Sequence, residues 1–134
     1  MNDFWTSWQP RILSVFRFII GFLFFWHGTQ KLFGFPPSQQ GGGGELSTLM
    51  AVGGILELVG GVFIMLGIFT RWTAFILCGL MAFAYWGWHG TSAFLPIVNR
   101  GEMAVLYCFV FLYLFFAGGG SWSFDNFFMK KSEE

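Results

Sequence analysis

The sequence predicts an all-α integral membrane protein: a four-helix bundle built as two out-and-back hairpins in one domain, 1–134. Three observations carry that reading. The chain is 55% hydrophobic and 22% aromatic but only 10% charged, whereas a soluble domain carries charge on about a quarter of its residues. Polar surface is therefore too scarce to cover a water-soluble globule. Four apolar stretches each approach the ~20 residues that a spanning helix needs. The tetrapeptide Trp-His-Gly-Thr also occurs twice, at 26–29 and 88–91, and holds both histidines near the ends of the first and third stretches. Two hairpins with matched motifs read as parallel repeats about an axis along the membrane normal. A formal net charge of zero gives no footprint for nucleic acid.

The first stretch runs over 11–33 and is ended by Gly34-Phe35-Pro36-Pro37. It is too long, and with Arg17 too charged, for the core of a cleavable signal peptide. The glycine run 41–44 makes the next loop permissive, and without a following lysine it is not a phosphate-binding loop. The second stretch covers 46–70. The third, 71–90, is expected to use Thr70 as its N-cap. Residues 95–98 dip into the interface before a fourth stretch, 101–118, which Asn99-Arg100-Gly101-Glu102 opens in the manner of a capping box. The tail 121–129 carries Trp122, Phe124, Phe127 and Phe128, an interfacial pattern. Arg11, Arg71, Lys130 and Lys131 fall on one side, and Lys31 and Arg100 on the other. The basic-inside bias then places both termini in the cytoplasm.

Polar residues inside apolar helices are costly and mark function by default. Arg17, Gly21, Phe24, Gly28 and Lys31 form one helical stripe, with His27 four residues before Lys31 on its flank. Glu57 lies among Gly53, Gly54, Gly60 and Gly61, a small-residue face that lets a neighbouring helix approach closely. A carboxylate there needs a partner or a proton. Depth counting offers Arg17 as that partner, a structural ion pair, with a proton-handling role for Glu57 as the other reading. By depth, His27, Lys31, His89, Arg100 and Glu102 gather towards the outer face, with Glu57 deeper. Such a cluster suits a quinone, whose carbonyls take hydrogen bonds and protons while its tail stays in lipid; His27 and Lys31 are the donors and Glu57 the proton source. Bis-histidine haem ligation by His27 and His89 is the minor alternative. No metal site is expected. Cys78 and Cys108 lie outside any Cys-x-x-Cys arrangement, and counting from the helix ends puts them at different depths, a poor start for a disulfide.

These residues resemble the DoxX family of small bacterial membrane proteins. The likeness lies in Arg17, in His27-Gly28-Thr29-Gln30-Lys31-Leu32-Phe33-Gly34, and in Glu57-Leu58-Val59-Gly60-Gly61. It continues through Leu66-Gly67-Ile68-Phe69-Thr70-Arg71, His89, Gly101-Glu102, Leu106-Tyr107, 118–121 and Asp125. The resemblance implies a bacterial inner-membrane four-helix bundle, similar to the membrane subunit of thiosulfate:quinone oxidoreductase, with oxidative-stress or thiol-handling partners in some members. It points to a subunit or accessory of a quinone-linked oxidoreductase, with quinone as ligand and a soluble redox protein as partner, and it is compatible with an oligomer. A non-enzymatic scaffold or assembly partner for a soluble enzyme or a transporter is the competing reading, because most members have no established activity. The loop at 36–44 departs from the family pattern and argues against a substrate site there.

Overall fold

A computed structural model describes residues 3–39 and 45–133, so most of the expected glycine-run loop, 41–44 included, lies outside the described residues. Among the described residues every regular element is helical. The elements are α1 (Phe4–Phe33), α2 (Thr48–Leu66), α3 (Thr70–Ala84), α4 (Pro96–Asn99), α5 (Glu102–Ala117) and α6 (Phe124–Ser132). They group into two compact units: α1, α2 and α6 in one, and the chain from Arg71 to Gly118 in the other. Helices α1 and α2 are long and apolar enough to cross a membrane, and α5 is a shorter apolar helix.

Glycines set the α1–α2 packing. A Cβ on Gly21 would stand 2.5 Å from the Met65 nitrogen, and one on Gly28 2.5 Å from the Leu58 nitrogen. The reverse contact repeats it, since a Cβ on Gly61 would meet the Phe25 Cα at 2.8 Å. The two backbones therefore touch without side chains between them, as small-residue stripes allow. Outward, the same helices show large apolar residues: Ile12, Phe18 and Leu23 on α1, and Val52, Ile55 and Val59 on α2. Exposed apolar surface on this scale calls for a covering phase other than water.

The ends of these helices are built locally. Gly34, at φ 65°, closes α1, and its N–H donates to the Gln30 carbonyl. Ser47 Oγ accepts from the Met50 N–H at 3.2 Å and opens α2. At the other end Gly67, at φ 69°, turns the chain, while Ile68 N–H reaches back to the Phe63 carbonyl at 3.0 Å; this paired closure favours a left-handed residue that only glycine adopts freely. The cap of α3 differs from expectation. The Thr70 hydroxyl is buried without a hydrogen-bond partner, and the capping oxygens come from Asp125. Its carboxylate accepts from the Phe69 N–H at 2.7 Å and the Thr70 N–H at 2.8 Å. Asp125 N–H in turn donates to the Gly67 carbonyl at 2.9 Å, which docks the start of α6 on the α2–α3 corner.

In the second unit α3 ends in a π turn, Tyr85–His89, closed by Gly90 N–H to the Tyr85 carbonyl at 2.7 Å. The two Trp-His-Gly-Thr copies therefore differ in conformation: the first is regular α-helix, and the second begins in the π turn and runs out of it. The expected capping box before α5 does not form either. Gly101 occupies the N-cap and brings no capping side chain. Asn99 Oδ1 instead accepts from the Gly101 N–H at 2.8 Å around a left-handed Arg100, φ 59°. At the far end the Arg71 guanidinium donates to the carbonyls of Phe115 (3.0 Å) and Phe116, so the start of α3 caps the end of α5.

Candidate functional site

The polar centre of the first unit is an ion pair between neighbouring helices. Lys31 Nζ lies 2.6 Å from Glu57 Oε1. Gly54 lets this happen, because a Cβ there would stand 3.0–3.3 Å from Leu32 and Lys31 side-chain atoms. Glu57 is only 3% exposed while the Lys31 side chain is 36% exposed. The pair is thus asymmetric: a carboxylate sealed between helices, and an ammonium reaching it from the rim. Glu57 Oε2 is buried and accepts no hydrogen bond, although a carboxylate has about four acceptor sites to satisfy. His27, on the exposed side of α1, feels the charges of both Lys31 and Glu57. Its ring lies 6.3 Å from that of the buried Phe24. Imidazole, ammonium and buried carboxylate therefore form one electrostatic group where the last turns of α1 meet α2.

The expected Arg17–Glu57 ion pair is not what forms. The glycine contacts place Gly28 opposite 54–58 and Gly21 opposite 61–65, so Arg17 falls level with the end of α2, about 15 Å along the axis from Glu57. Arg17 is nevertheless 2% exposed. Its guanidinium is spent on backbone: Nε donates to the Gly119 carbonyl at 2.7 Å, and Nη2 to that of Trp122 at 2.8 Å. Nη1 donates to Ile64 at 2.5 Å and also to Met65. The Met65 carbonyl is one that the end of α2 leaves without a helical partner, while that of Ile64 also accepts from the Gly67 N–H at 3.2 Å. Arg17 is a structural clasp joining α1, α2 and the segment that leads into α6.

The other two candidate ligand residues, His89 and Glu102, belong to the second unit. His89 Nδ1 lies 3.0 Å from the Asn99 carbonyl, which can only accept, so Nδ1 carries the proton. Around it, Asn99 Nδ2 donates to the Ala93 carbonyl (2.8 Å) and to Tyr85 Oη (3.2 Å), and Tyr85 Oη donates to the Phe94 carbonyl (2.8 Å). His89 thus helps hold the loop between the π turn and α5. Tyr85 is buried, while its neighbours Trp86 and Trp88 are exposed. Glu102 is exposed at the first turn of α5, where its charge complements the helix dipole. Sequence reasoning also missed Asp125 as a cap and Asn99 as the centre of its loop. A third miss is the approach of Cys78 Sγ to Cys108 Sγ, 3.7 Å. Among the described residues no group of three or more His, Cys, Asp or Glu side chains is placed to hold a metal ion.

The DoxX family model matches residues 12–90, the stretch that contains Arg17, His27, Lys31, Glu57, most of α1 and all of α2 and α3. An uncharacterized protein of Haemophilus influenzae is 41% identical over 135 residues, covering 98% of this chain and 100% of its own length. No solved structure matches.

Proposed function

This chain belongs to the DoxX family, and from that premise we propose that it is a bacterial inner-membrane subunit or accessory of a quinone-linked oxidoreductase. In this reading α1, α2, α3 with its π turn, and α5 all cross the membrane, and a quinone head group is held at His27, Lys31 and Glu57. The observation that carries it is the buried, half-satisfied Glu57 beside a partly exposed Lys31. Taking two charges out of water costs several kcal/mol unless their remaining hydrogen-bonding capacity is used. A pair of this kind is a poor device for stability alone and a good one for handling a proton.

The chemistry follows from the donors. Lys31 has three N–H groups and gives one to Glu57, so the others remain to point at a ligand carbonyl. His27 is a second donor on the same flank. Reduction of a quinone consumes two electrons and two protons. The electrons come from a soluble redox partner, and Glu57, refilled from the loop side through Lys31, delivers protons to the reduced oxygen. The quinone tail lies along the exposed apolar residues of α1 and α2. His89 and Glu102 serve the α5 loop, and the head group is assigned to the α1–α2 hairpin without them.

Quinone affinity of the purified protein, read from quenching of tryptophan fluorescence by a short-chain quinone, tests this. His27→Ala and Lys31→Ala are each expected to weaken binding tenfold or more. Wild-type affinity in both variants would sink the site. A stable partner pulled from native membranes, with no dependence on quinone, would favour the scaffold reading instead.

A further inference from the structure

We propose that Cys78 and Cys108 form a reversible two-electron dithiol–disulfide centre, oxidised by a lipid-soluble quinone. The two residues lie on different helices, yet their sulfurs are 3.7 Å apart and both side chains are partly buried. Their matched depth has a cause. Arg71, at the start of α3, donates to the carbonyls of Phe115 and Phe116 at the end of α5. Counting from that fixed corner, Cys78 is seven residues along α3 and Cys108 eight residues back along α5, so the sulfurs meet at one level, about 10–12 Å from the corner. Bonding requires the sulfurs to close to about 2 Å, a movement within reach of side-chain rotation.

The surroundings select the oxidant. Arg71 and Glu102 are the charged residues of α3 and α5, and each is six or seven positions away from its cysteine. Between them the helices offer Ala74, Leu77, Phe111 and Leu114 as buried neighbours. A charged, water-borne disulfide has no polar route along such helices, whereas a quinone dissolved in the bilayer does. The step balances: two thiols lose two protons and two electrons, one S–S bond forms, and the quinone becomes a quinol. Three or more ligands would be needed for a typical structural zinc site, and the described residues supply only this pair there. The sulfur geometry stands independently of the Lys31–Glu57 site; only the choice of oxidant rests on the quinone reading.

The test uses the full chain in lipid nanodiscs, reduced with a phosphine that is then removed, and treated without oxygen with decylubiquinone or with diamide. Free thiols per chain, counted by alkylation and mass spectrometry, are expected to fall from two to none with either reagent, with one quinol formed per disulfide. Cys78→Ser and Cys108→Ser should each keep their remaining thiol and form no quinol. Failure of both reagents to close the pair, or bonding between chains instead of within one, overturns the centre. Closure by diamide alone overturns the quinone as its oxidant. Lys31→Ala separates the two proposals: it should lose quinone affinity and still close with diamide. Full affinity in that variant overturns the Lys31 site and leaves the sulfur pair standing.

Discussion

Replacing Lys31 by alanine leaves Glu57 buried and without its ion-pair partner. Stranding one member of a buried pair costs about 3–5 kcal/mol, and the lower figure applies because Lys31 is partly exposed. The variant should therefore unfold earlier in a detergent thermal melt, by about 3 kcal/mol. The double variant Lys31→Ala, Glu57→Leu should recover most of that loss, since an apolar residue there has no charge to satisfy. A double variant as weak as the single one would show that the ion pair is not the source of the effect. Glu57 was legible as a residue needing a partner, because a carboxylate among glycines in an apolar helix cannot stay ionised alone. Its partner was not. Depth counting offered Arg17, and only the interhelical register, which a sequence does not display, brings Lys31 to Glu57 instead. Arg17 was illegible for a further reason: all its acceptors are main-chain carbonyls at 64, 65, 119 and 122, and carbonyls leave no mark in a sequence.

That register belongs to the helices, and glycine substitutions test it. Gly28→Ala places a Cβ 2.5 Å from backbone of α2, so the helices must separate. Overpacking of this kind costs about 1–3 kcal/mol, and separation also pulls Lys31 from Glu57. Gly53→Ala is the matched control on the neighbouring face, where an added Cβ meets nothing within 4 Å. It should be neutral or stabilise α2 by up to about 1 kcal/mol through helix propensity. Equal destabilisation of both variants in the same melt would remove the interlock. The α2–α3 corner offers a second test. Asp125→Ala removes the oxygens that accept from Phe69 and Thr70 N–H groups, a cap worth about 1–2 kcal/mol. Hydrogen exchange at those two amides should rise, and α6 should become more open to protease; protection unchanged at both amides would show that another group caps α3. Punctuation made the helix break at Gly34 readable, while the break at Gly67, inside the stretch expected over 46–70, and a cap supplied from 55 residues away were not. The cysteine pair escaped for a related reason. Depth counted from segment ends set the two cysteines apart, whereas the Arg71 corner brings the sulfurs level.

At the scale of the whole molecule, the length of α1 and the return of the chain bear on the proposed membrane topology. Thirty residues of helix span about 45 Å, more than the ~30 Å hydrocarbon core. Arg17 marks the level where α2 ends, so the turns before it project past that plane. They carry Trp5, Trp8 and Arg11, the last 5.1 Å from the Trp8 ring, a composition suited to the interface. The sequence placed the start of α1 seven residues later, at 11. Instead Pro10 sits inside the helix, and its carbonyl accepts from Ser14 Oγ and from the Ser121 N–H at 3.1 Å. That last bond matters for topology. The chain leaves the first unit after Thr70 and comes back at Gly119, whose carbonyl is 2.7 Å from Arg17 Nε. A segment that returns to the level it left crosses a membrane an even number of times. If α1 and α2 form one crossing pair, as proposed, both termini share a side, whatever α3 and α5 do between them. Under the proposed inner-membrane reading, Lys130 and Lys131 on α6, with Arg11 on α1, would put that end on the cytoplasmic side. Fluorescent-protein fusions at either terminus should glow in intact bacteria, and alkaline phosphatase fused after Ser38 should be active outside. Phosphatase activity at the C-terminus beside a fluorescent N-terminus would break the even count, and with it the clasp that Arg17 makes between the two ends of the chain.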